Sequence, residues 1–246
     1  LAYIFELDSA GEQFVAALAR AQKRGISVRV LIDGVGSNDA VENALHAQGV
    51  QVARFLPFSL AAGRRYFNLR NHRKILVCDG LVGFTGGMNL RRSHLVAAEQ
   101  FHREQDVQFK LEGPVVEHLM DTFADDWAFT TREVLKGPEW FPRPGPVGPV
   151  QARGIPSDPA ETHEVARMVI VAALGAARSS VRLVTPYFLP DAAITAALNV
   201  AALRGVKVDI FLPQVNDNPA VQWASTAMLW QVLMSGCRVL TTPPPF

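Results

Sequence analysis

A histidine and a lysine two positions apart, His72 and Lys74, have the side-chain types and the spacing needed for chemistry on a phosphate group. In an extended segment, side chains at i and i+2 project from the same face, so the imidazole and the ammonium would lie side by side. A neutral imidazole is a nucleophile and a base near neutral pH, and a lysine ammonium binds a phosphate oxygen. The pair could therefore attack phosphorus and stabilise the charge on its oxygens. By itself the pair is weak evidence, because an edge strand with a solvated histidine and lysine has the same pattern.

Further polar and small residues follow the pair in the run CDGLVGFTGGMN. Asp79 has the opposite strand parity to His72 and begins an Asp-Gly pair between two apolar runs, which is typical of a hairpin. We therefore expect Asp79 to hold the turn or to orient a neighbour, not to join the pair through strand geometry. Gly86 and Gly87 would let the backbone come close to an anion, and Asn89 would add an amide donor.

The elements that must position these residues alternate between helical and strand patterns. Residues 11–25 have apolar side chains at helical spacing and end on a glycine, and residues 27–34 form a β-branched run that ends in a turn. A second helix is predicted over residues 39–49 and a second strand over residues 50–55. This alternation indicates an α/β fold with a largely parallel sheet.

A segment rich in proline and glycine, residues 136–160, separates two regions with this pattern. It predicts a first lobe over residues 1–135, a linker or surface excursion over 136–160, and a second lobe over 161–246. Residues 16–39 and 196–217 both contain a helix that ends in Arg-Gly, an alternating strand and a polar turn, about 180 residues apart. Such a repeat implies two similar lobes and not a solenoid.

The full spacing H-x-K-x-x-x-x-D, followed by G-G-x-N, resembles the signature of the phospholipase D superfamily. The stretches KRGISVRVLIDGVGS, DVQFKLEGPVVEHLMDTFADDW and VTPYFLPD extend the resemblance over nearly the whole chain, which is most similar to the bacterial cardiolipin synthases. The resemblance implies an α/β fold of two similar phospholipase D-like lobes related by a pseudo-twofold axis. Each lobe would be a mostly parallel or mixed sheet flanked by helices.

The mechanism that this resemblance implies uses two such motifs facing each other. One histidine becomes a phospho-histidine, and the other protonates the leaving alcohol and then activates the acceptor. The resemblance assigns catalytic roles to His72, Lys74 and Asp79. It assigns phosphate binding to Lys74, Gly87 and Asn89, and it implies no metal and no other cofactor.

Three more residues match positions of the family, and each also has a purely structural explanation. Asp106 matches the acidic residue that orients the histidine, but it also opens the predicted strand DVQFKL, where a carboxylate needs no such role. Tyr187 and Asp191, in TPYFLPD, match residues that would line the cleft. Alternatively, they lie in a connection from strand to helix, and Asp191 lies near a helix N-terminus, where its charge is favourable.

The sequence contains one copy of the motif, because no His-x-Lys occurs after residue 74. Gly25 precedes His72 by 47 residues, and the same spacing from the matching Gly205 leads to about position 252, beyond Phe246. We therefore expect either a fragment of a longer two-motif enzyme or a variant that completes its site in a homodimer. The oligomeric state stays open, and the chain alone is expected to have little or no turnover.

The activity that the resemblance implies is a phosphatidyltransferase that joins two phosphatidylglycerols and releases glycerol. A phosphodiesterase that hydrolyses lipid or nucleic acid is the alternative, and a membrane-docking module without activity is a third. The formal net charge of +1 argues against a strongly basic nucleic-acid binder. We therefore expect an anionic phospholipid such as phosphatidylglycerol as the partner, and no nucleic acid.

A membrane surface is a second expected partner. Residues 55–67 are apolar and then basic, so they would enter a lipid interface or, alternatively, pack under the sheet. A basic rim that would suit an anionic head group surrounds the motif: Arg64, Arg65, Arg70, Arg73, Arg91, Arg92 and His94. The expected location is the bacterial inner membrane, on its cytoplasmic side, with the protein bound peripherally or anchored by segments outside this chain.

Overall fold

Helices and strands alternate over residues 9–55 and 163–242, as the hydrophobic periodicity predicts, whereas residues 75–86 form two consecutive strands. The computed structural model describes residues 1–57, 70–95, 103–157 and 163–244. The chain divides into two units, Leu1–Gly154 and Ile155–Phe246. This division falls inside the segment 136–160 that the sequence suggests as a linker.

The first unit has two parallel strands and an antiparallel three-stranded sheet. Its helices are α1 (Ser9–Lys23), α2 (Asp39–Ala47) and α3 (Val115–Thr131). Its strands are β1 (Arg29–Asp33), β2 (Gln51–Phe55), β3 (Ile75–Cys78), β4 (Val82–Gly86) and β5 (Gln108–Glu112). β1 pairs with β2 in parallel, and the order β3-β4-β5 is antiparallel throughout. The first unit therefore contains both parallel and antiparallel pairs, as the resemblance implied, and the antiparallel pairs begin with the hairpin of β3 and β4.

The N-terminal segment, residues 1–6, joins these two sheets. Ala2 forms a parallel bridge with Ile32 of β1, and Phe5 forms another with Leu90, which follows β4. The N–H of Ile75 donates to the carbonyl of Leu1 (3.0 Å). This segment therefore lies between β1 and the hairpin β3-β4.

The second unit is a parallel three-stranded sheet in the order β6-β7-β8 with helices between its strands. Its strands are β6 (Ser180–Val184), β7 (Lys207–Pro213) and β8 (Arg238–Thr242). Its helices are α4 (His163–Ala176), α5 (Ala192–Leu203), α6 (Pro219–Met228) and α7 (Trp230–Leu233). The core is formed by β7 and the inner faces of the helices, with Leu198, Ile210 and Val232 completely buried.

The internal repeat is visible in the way α1 and α5 end. Gly25 and Gly205 follow these helices with φ of +84° and +85°, a conformation that glycine adopts without steric cost. The next N–H reaches back to the last turn in both copies, from Ile26 to the Ala21 carbonyl and from Val206 to the Ala201 carbonyl. The same local sequence therefore builds the same helix-to-strand connection twice.

The start of the proline-rich segment packs on the first unit. Trp140 and Phe141 contact the buried cluster formed by α3 and β1, and the Pro142 ring lies against Gly80 in the hairpin turn. The N–H of Gly154 donates to Nδ1 of His118 (3.0 Å). Residues 136–154 are therefore a surface excursion of the first unit, which Trp140 and Phe141 attach to its core.

Candidate active site

His72 and Lys74 lie on the exposed face of the segment that leads into β3. The imidazole of His72 stacks on the ring of Tyr3, with ring centres 3.8 Å apart and an angle of 19° between the planes. The Lys74 ammonium lies over the same ring, 5.0 Å from its centre, and donates to the His72 carbonyl (2.8 Å). The alternation continues into β3, where Ile75 is buried and Leu76 is exposed. The two residues therefore share a face, as their spacing predicts.

The electrostatic environment favours a neutral imidazole. Partial burial lowers the pKa of His72, the positive charge of Lys74 lowers it further, and the carboxylate of Asp33 opposes both. Partial burial also lowers the pKa of Lys74, while the carboxylate of Asp106 opposes this effect. A histidine with a lowered pKa is mainly unprotonated at neutral pH, which is the form that attacks phosphorus.

Two buried carboxylates hold the backbone on both sides of His72. Asp33, at the end of β1, accepts from the N–H of Asn71 (3.0 Å). Asp126 of α3 accepts from Nδ2 of Asn71 (2.7 Å) and from the Arg73 guanidinium (2.6 and 2.7 Å). Asp33 and Asp126 are both buried residues. This network fixes the residues that flank His72, so that the imidazole is presented from a rigid segment.

The interpretation of the sequence missed Tyr3, Asp33 and Asp126. Asp33 looked like part of a turn because Gly34 follows it, and it does accept from the N–H groups of Val35 and Gly36 (2.9 Å each). Asp126 had a recognisable signal, since it lies on the apolar face of α3 beside the buried Trp127. A carboxylate in such a position requires a donor, which Arg73 supplies.

The Gly-Gly-x-Asn segment runs alongside the start of β5. The N–H of Gly87 donates to the carbonyl of Val107 (3.1 Å), and the predicted contact of Gly87 with phosphate stays a prediction. A Cβ on Gly87 would lie 2.2 Å from both carboxylate oxygens of Asp106. Glycine is therefore needed here because the Asp106 carboxylate occupies the space of a side chain. Asn89 accepts a long hydrogen bond from the Ile4 N–H (3.4 Å), and its contact with phosphate stays a prediction.

The Asp106 carboxylate interacts electrostatically with Lys74. Its carboxylate accepts from the N–H of Val107 (2.7 Å), and its charge raises the pKa of Lys74 against the effect of burial. Within the described residues no hydrogen bond joins Asp106 to His72. Its predicted role in orienting the histidine therefore stays a prediction, and its observed contribution is a negative charge beside Lys74.

Asp79 lies in the turn at the opposite end of β3. Asp79 and Gly80 both have positive φ, +54° and +65°, as a primed two-residue turn requires. Extended chain rises about 3.3 Å per residue, so Asp79 is roughly 16 Å from Lys74 along β3. Its position agrees with the turn that the Asp-Gly pair predicted. The structure does not bring it together with His72 and Lys74, so its assignment to the catalytic group gains no support from this geometry.

The predicted basic rim is partly neutralised by acidic side chains. Arg73 is paired with Asp126, and Arg91 forms ion pairs with Glu6 and Glu104. Nε2 of the buried His94 lies 3.0 Å from a Glu104 carboxylate oxygen.

The other four members of the rim have different environments. Arg92 is exposed, and Arg70 donates to the Leu56 carbonyl (3.0 Å). Arg64 and Arg65, with most of segment 55–67, lie outside the described residues.

Tyr187 and Asp191 belong to the second unit. The hydroxyl of Tyr187 donates to the Asp217 carboxylate (2.8 Å), and the Tyr187 side chain is exposed. Asp191 caps α5 by accepting from the N–H of Ile194 (2.8 Å), the bond that chiefly lowers its pKa. Asp8 caps α1 in the same way in the first unit. Asp191 therefore has the position near a helix N-terminus that was the alternative to a role in the cleft. A place in a cleft for Tyr187 or Asp191 stays a prediction.

The described residues form neither a metal-binding cluster nor a membrane-spanning helix. No cluster of three or more histidine, cysteine, aspartate or glutamate side chains there has an arrangement suited to a metal ion. No helix in these ranges combines the length and apolar character required to cross a bilayer.

Comparison with known proteins relates this geometry to a family. A family model described as "Cardiolipin synthase, PLD-like domain" matches residues 1–127 and 170–245. The chain is 35% identical to cardiolipin synthase A of Pseudomonas syringae pv. syringae (strain B728a) over 249 aligned positions, covering 99% of the chain and 51% of that protein. Cardiolipin synthase A of Pseudomonas fluorescens (strain SBW25) matches with the same identity and coverage. The chain thus spans about half the length of these relatives.

Solved structures agree with the fold. The phosphatidylserine synthase of Haemophilus influenzae Rd KW20 has a TM-score of 0.64 at 13% identity, covering 98% of this chain and 66% of that one. The polyphosphate kinase of Porphyromonas gingivalis has a TM-score of 0.53 at 12% identity, covering 100% of this chain and 36% of that one. At these identities the likeness concerns the fold alone. The match of the family model over most of the sequence shows that the chain belongs to the phospholipase D-like family of the cardiolipin synthase type.

Proposed function

We propose that this chain supplies one half of the active site of a phosphatidyltransferase of the cardiolipin synthase type. The observation that carries the proposal is the juxtaposition of His72 and Lys74 on one exposed face, with the imidazole favoured in its neutral form. This arrangement suits nucleophilic attack on a phosphodiester beside a fixed positive charge. The relatives named cardiolipin synthase A support the choice of a lipid phosphodiester over other substrates.

The proposed reaction has two displacements at one phosphorus atom. A ring nitrogen of His72 attacks the phosphorus of phosphatidylglycerol, the bond to the head-group glycerol breaks, and glycerol leaves with a proton from a general acid. The phosphatidyl group is then covalently bound to His72. A hydroxyl of a second phosphatidylglycerol loses its proton to the same acid–base group and attacks phosphorus, which frees the histidine and forms cardiolipin. Lys74, and Asn89 if its predicted role holds, would bind the phosphate oxygens in both steps.

The general acid is not among the residues that the structure brings to His72. Family resemblance assigns that task to a second His-x-Lys motif, and the sequence of this chain has one such motif. We propose that the second set comes from the rest of a longer protein, because the repeat already fills the place of a second lobe and the relatives are about twice as long. The alternative is that a second copy of this chain supplies the second His-x-Lys motif in a homodimer.

The proposed substrate is phosphatidylglycerol presented at a membrane surface. The proposed location is the bacterial inner membrane, on its cytoplasmic side, with contact made by peripheral binding or by segments outside these residues. The exposed Arg92 is the member of the predicted rim that supports contact with anionic head groups most directly. Nucleic acid is not proposed as a partner, given the formal net charge of +1.

The test uses the protein expressed from its whole coding sequence, in vesicles that contain phosphatidylglycerol. His72→Asn is expected to reduce the release of glycerol and the formation of cardiolipin by at least about 1,000-fold, since the nucleophile is lost. His46→Asn is the matched control, because His46 is an exposed histidine on α2 of the same unit and should leave the rate unchanged. Normal cardiolipin formation by His72→Asn would overturn the proposal.

Two further arms of the same experiment distinguish the alternatives. Release of phosphatidate in place of cardiolipin would identify a hydrolase, and cleavage of a labelled oligonucleotide would identify a nuclease. The 246-residue chain by itself is expected to show little or no turnover on phosphatidylglycerol. Steady product formation by that chain at high concentration would contradict the half-site proposal.

A further inference from the structure

The ring of Tyr3 is the only aromatic surface within the described residues that contacts both His72 and Lys74. The imidazole lies nearly parallel to it at 3.8 Å, and the ammonium lies 5.0 Å from its centre. Parallel contact at this distance fixes the plane of the imidazole, and a cation over the face of an aromatic ring is attracted electrostatically. One side chain thus constrains both members of the pair.

This contact leaves the reactive atoms of the histidine available. Among the described residues, no hydrogen bond reaches a ring nitrogen of His72. An orienting hydrogen bond would occupy one of the two nitrogens, whereas stacking restrains the plane and occupies neither. Since His72 is exposed, a phosphodiester can reach the imidazole while the described residues leave both nitrogens unoccupied and the ring keeps its orientation.

Tyr3 is itself held by rigid elements. The hydroxyl of Ser37 donates to the Tyr3 carbonyl (3.1 Å), and the neighbouring Phe5 is almost completely buried. A Cβ on Gly36 would lie 2.3 Å from the Tyr3 carbonyl oxygen and 3.0 Å from its ring, so glycine provides the space that this backbone occupies. The backbone that carries the Tyr3 ring is therefore held in place by these contacts.

We infer that Tyr3 is a positioning residue, whose ring fixes the orientation of the His72 imidazole and the place of the Lys74 ammonium for phosphatidyl transfer. The inference rests on the proposed function for its effect on rate, but the contact itself can be measured without substrate. It predicts that the ring of Tyr3 matters and that its hydroxyl does not. Tyr3→Phe should therefore preserve the orientation of His72 and Lys74, whereas Tyr3→Leu should lose it although leucine is also apolar.

The first measurement is the NMR spectrum of the His72 ring protons in the 246-residue chain, assigned by their disappearance in His72→Asn. The ring current of Tyr3 should shield these protons. Tyr3→Leu should move them towards the positions of a solvated histidine, and Tyr3→Phe should leave them shielded. Unchanged positions in Tyr3→Leu would overturn the inference, whatever reaction the protein catalyses.

The second measurement is the steady-state rate of the protein expressed from its whole coding sequence. Tyr3→Leu should lower kcat by about 10- to 100-fold, the effect of a misplaced reacting group, with KM changed less than about threefold. Tyr3→Phe should keep kcat within about threefold. Phe14→Ala is the control, because it removes a partly exposed aromatic ring of the same unit that stacks edge-on with Phe5. An equal loss in the Phe and Leu variants would refute a role for the ring.

Discussion

Replacement of Asp126 by asparagine tests whether the buried network holds the catalytic segment. The Asp126 carboxylate accepts from Asn71 (2.7 Å) and from Arg73 (2.6 and 2.7 Å), and the side chains of Asp126 and Arg73 are 11% and 21% exposed. Removing one partner of a buried ion pair costs about 3–5 kcal/mol, because the other charge stays buried. The asparagine oxygen can still accept one hydrogen bond and Arg73 is partly hydrated, so we expect a loss of about 2–3 kcal/mol.

Urea denaturation of the 246-residue chain measures this loss. The fluorescence of Trp127, which is 3% exposed and adjacent on α3, reports the unfolding of the first unit. For a slope of about 2 kcal/mol per molar urea, the midpoint should fall by about 1–1.5 M. Arg73 and Asn71 flank His72, so the loss of their partner should also affect the imidazole. Asp126→Asn in the protein expressed from its whole coding sequence should therefore lose transferase activity even without urea.

Asp125→Asn is the matched control, since Asp125 is the exposed neighbour on the same helix. Substitutions at exposed positions away from such networks usually change the free energy of unfolding by less than about 0.5 kcal/mol. The urea midpoint of Asp125→Asn should therefore move by less than about 0.25 M. If Asp126→Asn shifted the midpoint no more than Asp125→Asn does, the carboxylate would not hold the segment. The reasoning about a preorganised histidine would then be wrong.

Three other substitutions give further tests. Gly87→Ala should lower the transfer rate of the protein expressed from its whole coding sequence by about 10-fold or more, because its Cβ would lie 2.2 Å from the Asp106 oxygens; an unchanged kcat would contradict this. Lys74→Met should raise the pKa of His72, because a positive charge is removed, and it should stay below about 6.5 because burial remains. In the folded protein the lowered pKa of His72 contributes stability that is fully present above about pH 6.5 and is lost as the pH falls through the lowered pKa. A higher folded-state pKa in Lys74→Met should therefore make this pH-dependent contribution smaller. An NMR titration of His72 with the same midpoint in both proteins would contradict the effect of Lys74 on its pKa. Gly205→Ala should destabilise the second unit by about 1 kcal/mol in thermal unfolding, because φ is +85° there, and an unchanged transition would show that the backbone adapts.

Short-range chemistry explains which features could be predicted. The helices and strands follow from periodicity and from glycine at helix ends, as at Gly25 and Gly205. The shared face of His72 and Lys74 follows from the alternation of an extended segment, and the Asp79 turn follows from the Asp-Gly pair. These are local rules, so a single sequence is sufficient for them. The family was also recognisable, because the spacing of its motif lies within one short stretch.

The parts that were missed depend on residues distant in sequence. Tyr3 lies about 70 positions before His72, and no periodicity relates an N-terminal tyrosine to that histidine. Their contact arises because residues 1–6 lie between β1 and the hairpin, a pairing decided by the sheet. The glycines predict a close approach of the backbone to an anion, but they do not predict that the Gly87 N–H donates to the Val107 carbonyl.

The sequence by itself determined the secondary structure, the chemical type of the reacting pair and the family to which it belongs, because each depends on neighbours along the chain. Only the tertiary structure decided that Asp33 and Asp126 support the histidine from two different elements. The physical reason is that orientation and charge at His72 depend on burial and on contacts between distant segments, and these exist only once the sheet has assembled.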